Sequence, residues 1–275
     1  MIQKIKFGTD GWRAIIAKDY TVENVARVAY ATAQWIKESG NKTMVLGYDC
    51  RFGGGLFSEV VIHVMCSEGI KVYYDKSFVT TPMISLAALE LNAFAGVIIT
   101  ASHNPPTYNG YKLKSHFGGP SIEADIQKVE DMIPDTFEIP TVDFAEMEEK
   151  GLLEYINLED MYFEKVEAAF DLEMIRNSNF NLAYDAMYGS GQNIFKRIMP
   201  KAKHLHCEHN PGFNGQAPEP IDKNLQELSH FLRDNDDYHL GLANDGDADR
   251  IGLYSSKGKF IDAHHIILIL IHILH

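Results

Sequence analysis

A five-residue segment without polar side chains, residues 95–99, leads directly into a long polar segment. A short apolar run before turn residues predicts a strand that is covered on both faces, here at Val97, Ile98 and Ile99. Pro105 and Pro106 end regular structure just beyond it. Ser102 therefore lies at the carboxyl end of a predicted buried strand, where the sheets of α/β proteins usually carry their chemistry.

The polar segment, residues 100–112, combines several reactive or anion-binding side chains. They are a hydroxyl, an imidazole, two carboxamides and an ammonium group, on Ser102, His103, Asn104, Asn109 and Lys112. Ser102 or His103 alone is better explained as part of a polar turn. The whole set offers a nucleophile, proton carriers and donors for an anion, and combined motifs produce fewer false matches than single residues. We therefore interpret the segment as a functional loop.

Strand-like and helix-like patterns alternate along the first half of the chain. In residues 22–39 an apolar residue recurs every three or four positions, Thr21 is suited to cap the helix, and Gly40 to end it. Further strands are predicted at 44–48 and 71–74, and further helices at 57–68, 83–91 and 122–133. Such alternation indicates an α/β domain with a largely parallel sheet.

The stretch from 134 to about 151 mixes proline with acidic residues, and we interpret it as a link between two domains. The patterns beyond it predict helices at 158–175 and 225–232, strands at 181–185 and 239–244, and a hairpin at 251–261. The predicted domains are residues 1–140 and 150–255. Residues 256–275 begin a third domain, and the apolar run at 266–274 predicts a core helix.

Composition restricts the kinds of partner that we expect. The formal net charge of −13 argues against nucleic acid, because binding to nucleic acid requires Lys and Arg to neutralise phosphates. No apolar run approaches the ~20 residues of a membrane-spanning helix, and residues 1–6 do not resemble a signal peptide. The three cysteines have no metal-ligand or disulfide spacing, which indicates reduced thiols in a cytoplasmic protein. No feature of the sequence indicates an oligomeric state.

An acidic motif near the end of the chain alternates three aspartates, Asp245, Asp247 and Asp249. In an extended loop their carboxylates can converge on one side, and a set of hard oxygen ligands suits Mg²⁺. An EF-hand is excluded, since its glycine and glutamate positions hold Arg250 and Ser256. The other explanation is a solvated acidic turn, although three like charges repel unless a cation offsets them. From these residues alone the two explanations are equally supported.

Three segments together resemble the α-D-phosphohexomutases, the phosphoglucomutase and phosphomannomutase family. They are FGTDGWRA at 7–14, TASHNPPTYNGYK at 100–112 and DGDADR at 245–250, and they occur in the order of the family. The resemblance extends over essentially the whole chain. It implies two consecutive phosphohexomutase-type α/β domains with mixed, largely parallel sheets, followed by the start of a third.

The resemblance also implies a mechanism and a metal site. Ser102 would carry a phosphoryl group, with Mg²⁺ held by Ser102, Asp245, Asp247 and Asp249. A hexose phosphate would accept the phosphoryl group to form hexose 1,6-bisphosphate, which reorients and returns its other phosphoryl group to Ser102. The result is interconversion of hexose 1-phosphate and hexose 6-phosphate.

The remaining site residues are assigned from the same resemblance. Lys112 is the first choice for the general base and acid, with Arg13 and His103 as alternatives. Arg250, Asn104 and Arg13 would contact phosphate or substrate. A phosphorylated hexose is the expected partner, with hexose 1,6-bisphosphate as activator and intermediate.

The family has four domains, and we expect its sugar-recognition and phosphate-recognition domains to lie beyond His275. No Gly-Glu-x-Ser-Gly sugar loop occurs in the sequence, so we expect this chain alone to have weak activity or none. Residues 106–111 resemble the glucose and mannose members more than the glucosamine members. Alternatives are phosphoglucosamine mutase, a simple phosphatase, and a non-catalytic phosphosugar-binding or regulatory module, although the last needs neither Ser102 nor the three aspartates.

Overall fold

The computed structural model describes residues 4–8 and 11–274. Thr9 and Asp10 of the predicted motif at 7–14 therefore lie outside the described residues. Contacts divide the chain into two compact units. Unit 1 consists of the described residues up to Ala101 together with Thr107–Tyr162, and unit 2 consists of Ser102–Pro106 together with the described residues from Phe163 onward.

Unit 1 is an α/β unit built around one mixed sheet. Its strands and helices, in chain order, are β1 (Trp12–Ile15), α1 (Val22–Ser39), β2 (Thr43–Tyr48), α2 (Gly54–Ser67), β3 (Lys71–Tyr74), α3 (Thr81–Glu90), β4 (Ala95–Ile99), β5 (Tyr108–Ser115), α4 (Glu123–Asp131), α5 (Phe144–Glu149) and β6 (Leu153–Tyr155). The six strands among its described residues are ordered β1-β5-β4-β2-β3-β6. Strands β4, β2, β3 and β6 pair in parallel, whereas β5 is antiparallel to both β4 and β1.

The predicted buried strand, β4, is confirmed, because all five of its residues are buried. The predicted caps of α1 are confirmed as well. The Thr21 hydroxyl accepts a hydrogen bond from the Asn24 amide, and Gly40 adopts the left-handed conformation at φ 79° that a residue with Cβ resists. Helix α2 begins at Gly54 rather than at 57, so Gly54 and Gly55 belong to its first turn.

Two parts of unit 1 differ from the prediction. Residues 108–112 form the first part of strand β5, not a continuous loop, so Lys112 lies in a strand where it is 1% exposed. The polar side chains of this strand hid its pattern, because Lys112 and Lys114 are buried alongside Tyr111 and Leu113.

The predicted link at 134–151 is wrong in its second half, which contains α5. Phe137, Ile139 and Phe144 pack against the core of unit 1. Strand β6 then pairs in parallel with β3, so residues that we assigned to the second domain complete the first sheet. The apolar residues of this stretch pack against the core. They lie between prolines and acidic residues, so the overall polar composition did not predict this packing.

Unit 2 is a second α/β unit with its own core. Its strands and helices are α6 (Leu158–Ala169), which the division cuts after Tyr162, α7 (Leu172–Asn177), β7 (Leu182–Asp185), α8 (Gln192–Ile198), β8 (Lys203–Leu205), α9 (Gln226–Asp234), β9 (Leu240–Asn244), β10 (Ile251–Ser255), β11 (Phe260–Ile261) and α10 (Ala263–Leu274). Its five described strands are ordered β11-β10-β9-β7-β8, with β7 parallel to β8 and β9. The predicted hairpin is confirmed by the antiparallel pairing of β10 and β11.

Several predictions for unit 2 need correction. The single helix predicted at 158–175 is two helices, and the Asp171 side chain caps the second of them by accepting a hydrogen bond from the Met174 amide. Strand β8 was not predicted, because three residues are too few to show a period. Helix α10 is not a core helix, since none of its residues is buried and Leu274 is 84% exposed. The apolar sequence of α10 predicted burial. Burial also requires an element that covers the helix, and the described residues do not provide one.

None of the helices in the described part of the chain is both long enough and apolar enough to span a membrane.

His206, next to β8, joins three elements of unit 2 through its ring. Its Nδ1 lies 2.9 Å from Asp185 Oδ1 on β7, and its Nε2 lies 3.2 Å from Glu227 Oε2 on α9. The ring of Tyr188 packs beside it. The hydrogen bond with Asp185 and the two carboxylate charges raise the pKa of His206 to about 9, although burial alone would lower it. The protonated ring therefore stabilises the folded unit.

Loss of the α1 cap should destabilise unit 1. Thr21→Ala removes the acceptor for the Asn24 amide and should lower the free energy of unfolding by about 1 kcal/mol. Both tryptophans, Trp12 and Trp35, lie in unit 1, so their fluorescence during urea denaturation measures this loss. Thr21→Ser keeps the hydroxyl and is the matched control. Equal destabilisation by both substitutions would show that the cap contributes nothing.

Stability of unit 2 should depend on pH through His206. Because its pKa is raised in the folded state, the stabilisation is complete below about pH 6.5 and is lost as pH rises through about 9. The difference in urea midpoint between the unaltered chain and His206→Gln should therefore shrink across this range. Asp185→Asn removes the main partner and should greatly reduce the pH dependence, although Glu227 still contributes to it. A difference that stays constant from pH 6 to pH 10 would contradict this assignment.

Candidate functional site

The three aspartates of the acidic motif lie in the turn that follows β9 in unit 2. One carboxylate oxygen from each of Asp245, Asp247 and Asp249 lies within 4.8 Å of the other two. Asp245 and Asp247 are buried, and Asp249 is exposed. Within residues 4–8 and 11–274 this is the one group of three or more acidic, His or Cys side chains arranged closely enough to hold a metal ion.

Asp245, like Asp247, has no exposed surface. Its Oδ1 accepts hydrogen bonds from the amides of Asp249 and Arg250, each at 3.1 Å. Burial, followed by the charges of Asp247 and Asp249, raises the pKa of the Asp245 carboxyl well above its usual value. The turn therefore concentrates negative charge that an additional cation would relieve.

Ser102 contacts this acidic turn directly. Its Oγ donates a hydrogen bond of 2.8 Å to Asp245 Oδ2, and the contact lies within unit 2, because Ser102–Pro106 groups with that unit. The sequence had assigned Ser102 to the first domain. Strand β4 ends at Ile99, and the short segment Ser102–Pro106 that follows it groups by its contacts with unit 2 rather than with unit 1.

The backbone at Ser102 is strained. Its φ of 53° lies in the left-handed region, which costs a residue with Cβ about 1–3 kcal/mol. The side chain is 1% exposed, so this conformation holds the hydroxyl in a closed position against the carboxylate. Strained backbone of this kind persists only where the surroundings determine it, and such residues cluster at functional sites.

Other predicted residues accompany Ser102 in unit 2. His103 Nδ1 lies 3.5 Å from Ser102 Oγ, at the limit of hydrogen-bonding distance. Asn104 follows on the same segment and is half-buried. The Arg250 Nε lies 4.0 Å from Asp245 Oδ2, and its side chain is partly exposed, so the guanidinium can reach a ligand as well as the acidic turn. Their catalytic and binding roles stay predictions.

Arg13 and Lys112 belong to unit 1. Arg13 on β1 pairs with Gly110 on β5, so it shares a face of the sheet with Lys112 two residues further along. The structure thus brings two of the predicted cationic residues together on neighbouring strands. Arg13 is half-buried and Lys112 is fully buried.

The residues that support the acidic turn were not predicted from the sequence. Gly189 lies so close that a Cβ there would be 2.7 Å from the Asp245 carbonyl oxygen, which no side chain could accommodate. The Ser190 amide donates a 3.0 Å hydrogen bond to the Gly246 carbonyl. The glycine-rich turn at 188–191 therefore supports the acidic turn. Its Gly-x-Gly spacing after β7 was the available signal.

Asn244 closes the acidic turn at its base. Its Oδ1 accepts a hydrogen bond of 3.1 Å from the Tyr184 hydroxyl, and its Nδ2 donates one of 2.7 Å to the Arg250 carbonyl. The two ends of the turn, 244 and 250, are therefore joined by one side chain. This contact holds the three aspartates in a compact arrangement.

The donor set of the acidic turn fits a hard divalent cation. All three ligands are carboxylates, the chemistry that Mg²⁺ prefers, and no sulfur or imidazole belongs to the group. A bound cation would also offset the mutual repulsion of the carboxylates. Asp245, Asp247 and Asp249 could therefore hold Mg²⁺, with the Ser102 hydroxyl beside them.

Comparison with family models matches two regions of the chain. Residues 4–139 match phosphoglucomutase/phosphomannomutase alpha/beta/alpha domain I, and residues 160–258 match alpha/beta/alpha domain II of the same family. Together the two matches cover most of the chain.

Curated proteins with similar sequences include a phosphoglucosamine/phosphogalactosamine mutase of Sulfurisphaera tokodaii, 31% identical over 92% of this chain and 55% of its own length. A phosphoglucomutase of Neisseria meningitidis serogroup B is 31% identical over 90% of this chain and 52% of its own length. The chain spans about half the length of the curated relatives it matches.

Solved structures with the same fold include one from Thermus thermophilus, of a protein provisionally named a phosphomannomutase. It has a TM-score of 0.89 and 32% identity, and the match covers 99% of this chain and 62% of that protein. A phosphoglucomutase/phosphomannomutase family protein from Burkholderia thailandensis has a TM-score of 0.81 and 24% identity over 95% of this chain and 57% of its own. The second likeness shows the fold alone.

Magnesium should stabilise unit 2 through the acidic turn. A ligand that binds only the folded state adds about 2.7 kcal/mol at one hundred times its dissociation constant, which raises the melting temperature. Calorimetry with MgCl₂ and with EDTA measures this rise. Asp247→Asn should remove most of the rise, and without metal it should be no less stable, because one repelling charge has gone.

Asp236→Asn is the matched control for this experiment, since Asp236 is an exposed aspartate of unit 2 that pairs with Lys257 outside the acidic turn. It should retain the full rise with MgCl₂. An equal rise in Asp247→Asn and in the unaltered chain would contradict a metal site at the turn.

Proposed function

Because this chain belongs to the phosphoglucomutase/phosphomannomutase family, we propose that it carries the phosphoserine and metal-binding parts of a phosphohexomutase. The proposed reaction interconverts hexose 1-phosphate and hexose 6-phosphate. One observation supports it most directly, the 2.8 Å hydrogen bond from the Ser102 hydroxyl to Asp245 within a cluster of three carboxylates. A hydroxyl in this position can receive a phosphoryl group beside a cation site.

Ser102 serves as a carrier in this proposal. A serine hydroxyl is a weak nucleophile at neutral pH, whereas a phosphate already attached to it is a ready donor. A bound Mg²⁺ would supply positive charge to the phosphoryl oxygens. The buried side chain and strained backbone of Ser102 restrict the directions in which its oxygen can point, so the phosphoryl group is oriented before substrate arrives.

The transfer exchanges one phosphorus–oxygen bond for another. A hydroxyl of the hexose phosphate attacks phosphorus in line, the bond between phosphorus and Ser102 Oγ breaks, and the hydroxyl proton passes to a base. The resulting hexose 1,6-bisphosphate reorients, and Ser102 Oγ attacks the other phosphoryl group. The bond between that phosphorus and the sugar oxygen breaks, and the sugar oxygen takes the proton back from the base. The same residues therefore act on both ends of the sugar.

Proton transfer is assigned first to Lys112, with Arg13 and His103 as alternatives. Lys112 is buried on β5, and Arg13 lies on the same face of the sheet. His103 lies beside the Ser102 hydroxyl, where it can also orient the oxygen. Arg250, Asn104 and Arg13 are the proposed contacts for the phosphate groups of the substrate, because cationic and amide donors match phosphate oxygens.

Glucose and mannose phosphates are the proposed substrates, on the pattern of residues 106–111. Phosphoglucosamine mutase activity is the alternative, and the similar proteins carry names of both kinds. A cytoplasmic location is proposed as well, supported by three cysteines that are thiols rather than disulfides.

Intact mass tests the phosphoserine directly. The purified chain and Ser102→Ala are each incubated with hexose 1,6-bisphosphate and Mg²⁺, then weighed by mass spectrometry. We expect one added phosphate on the unaltered chain and none on Ser102→Ala, because the acceptor oxygen is missing. EDTA should slow the addition. Ser121→Ala, which changes a serine outside the site, should accept phosphate normally.

A phosphate that persists in Ser102→Ala would overturn the assignment of Ser102. A folded chain that accepts no phosphate would show that these residues do not carry out the step by themselves. Release of inorganic phosphate from the sugar without isomerisation would instead support a phosphatase.

A further inference from the structure

A buried ion pair in unit 1 contacts both ends of the segment that carries Ser102. Asp49 and Arg51 follow strand β2, and their carboxylate and guanidinium meet with Arg51 Nε 3.3 Å from Asp49 Oδ2. The Arg51 amide also donates a 2.9 Å hydrogen bond to Asp49 Oδ1. Both side chains are 0% exposed. A buried pair of this kind is rigid, since separating it would leave an uncompensated charge.

Asp49 contacts the end of the chain that enters the segment. Its amide donates a 3.1 Å hydrogen bond to the Ile99 carbonyl at the last residue of β4. The Thr100 hydroxyl donates one of 2.5 Å to Asp49 Oδ2. Two successive residues, 99 and 100, are therefore attached to Asp49 just before Ser102.

Arg51 contacts the end of the chain that leaves the segment. Its Nη1 donates a 3.1 Å hydrogen bond to the Tyr108 carbonyl at the start of β5. The next residue, Asn109, donates from Nδ2 to the carbonyl of Phe52, the neighbour of Arg51, at 3.2 Å. One short stretch of chain after β2 therefore contacts both ends of residues 101–107.

Residues 101–107 depend on these end contacts. The segment lies between β4 and β5 and contains no strand or helix, and Ser102 within it has a left-handed backbone. A strained conformation is kept only when its surroundings determine it. Fixing both ends of the segment reduces the number of conformations that its seven residues can adopt.

We propose that Asp49 and Arg51 form a clamp that sets the conformation of residues 101–107, and through it the rate of phosphoryl transfer at Ser102. They are positioning residues, since these contacts are with the ends of the segment and not with the reacting oxygen. The rate part of this inference rests on the proposed function. The conformational part does not.

Two mild substitutions test the clamp from its two sides. Thr100→Val removes the hydroxyl that binds Asp49 and leaves the ion pair in place. Arg51→Lys keeps the charge opposite Asp49 but loses the Nη1 donor to Tyr108. Arg27→Lys is the matched control, because Arg27 is another buried arginine of unit 1 and donates from Nε to the Pro134 carbonyl, away from the segment.

Hydrogen exchange by mass spectrometry measures the conformational part in the full chain. Residues 101–107 should exchange faster in Thr100→Val and in Arg51→Lys, whereas peptides from α1 and β3 should be unchanged. Arg27→Lys should leave 101–107 unchanged. This measurement needs no activity, so it decides the clamp even if no chain accepts phosphate.

Phosphorylation of Ser102 by hexose 1,6-bisphosphate measures the rate part. Misplacement of a reacting group by about 1 Å can slow a reaction about a hundredfold, so we expect both variants to be about tenfold to a hundredfold slower at saturating bisphosphate. The half-saturating concentration should change little. A purely structural role for the pair would lower the urea midpoint and leave the rate of the folded fraction intact.

Unchanged exchange at 101–107 in both variants would overturn the clamp. Faster exchange with an unchanged rate of phosphorylation would restrict the pair to conformation and overturn the rate part. If the unaltered chain accepts no phosphate while exchange responds as expected, the phosphoryl-transfer step proposed for this chain by itself fails and the clamp stands.

Discussion

The buried carboxylate of Asp245 is the constraint on which the acidic turn depends. A charged group with no exposed surface is costly unless hydrogen bonds or a cation compensate it. The Ser102 hydroxyl and the amides of Asp249 and Arg250 supply three hydrogen bonds. Two neighbouring carboxylates add repulsion that these contacts do not remove. A cation at the turn would offset that repulsion, which otherwise destabilises the turn.

The shape of the turn follows from the need to compensate the buried carboxylate of Asp245 with hydrogen bonds. For backbone amides to point at Asp245, the chain must reverse tightly, and Ala248 accordingly takes a φ of 58°. The backbone at position 189 lies so close to the Asp245 carbonyl that only glycine fits there. Asn244 joins the two ends of the turn. These residues have no reactive groups of their own. They hold the three carboxylates close together, although the mutual repulsion of the carboxylates would drive them apart.

Local patterns predicted the regular elements of both units well where a period could develop. Helix α1 and strand β3 have the expected bounds, and β4 ends at the expected residue, because their apolar spacing and end residues act within a few positions. Strands β5, β6 and β8 were missed for different reasons. In β5 buried lysines interrupt the apolar pattern, and in β6 the apolar residues have acidic neighbours. Strand β8 is too short to show alternation.

The sequence by itself determined the α/β class, the family, and the chemical groups available to the site. The order of three motifs and the spacing of the aspartates contain that information. Only the tertiary structure decided that Ser102, 143 positions before Asp245, donates to it, and that Asp49 and Arg51 contact both ends of the segment. Such contacts join residues far apart in the chain, so they arise from packing and burial, which no local pattern encodes.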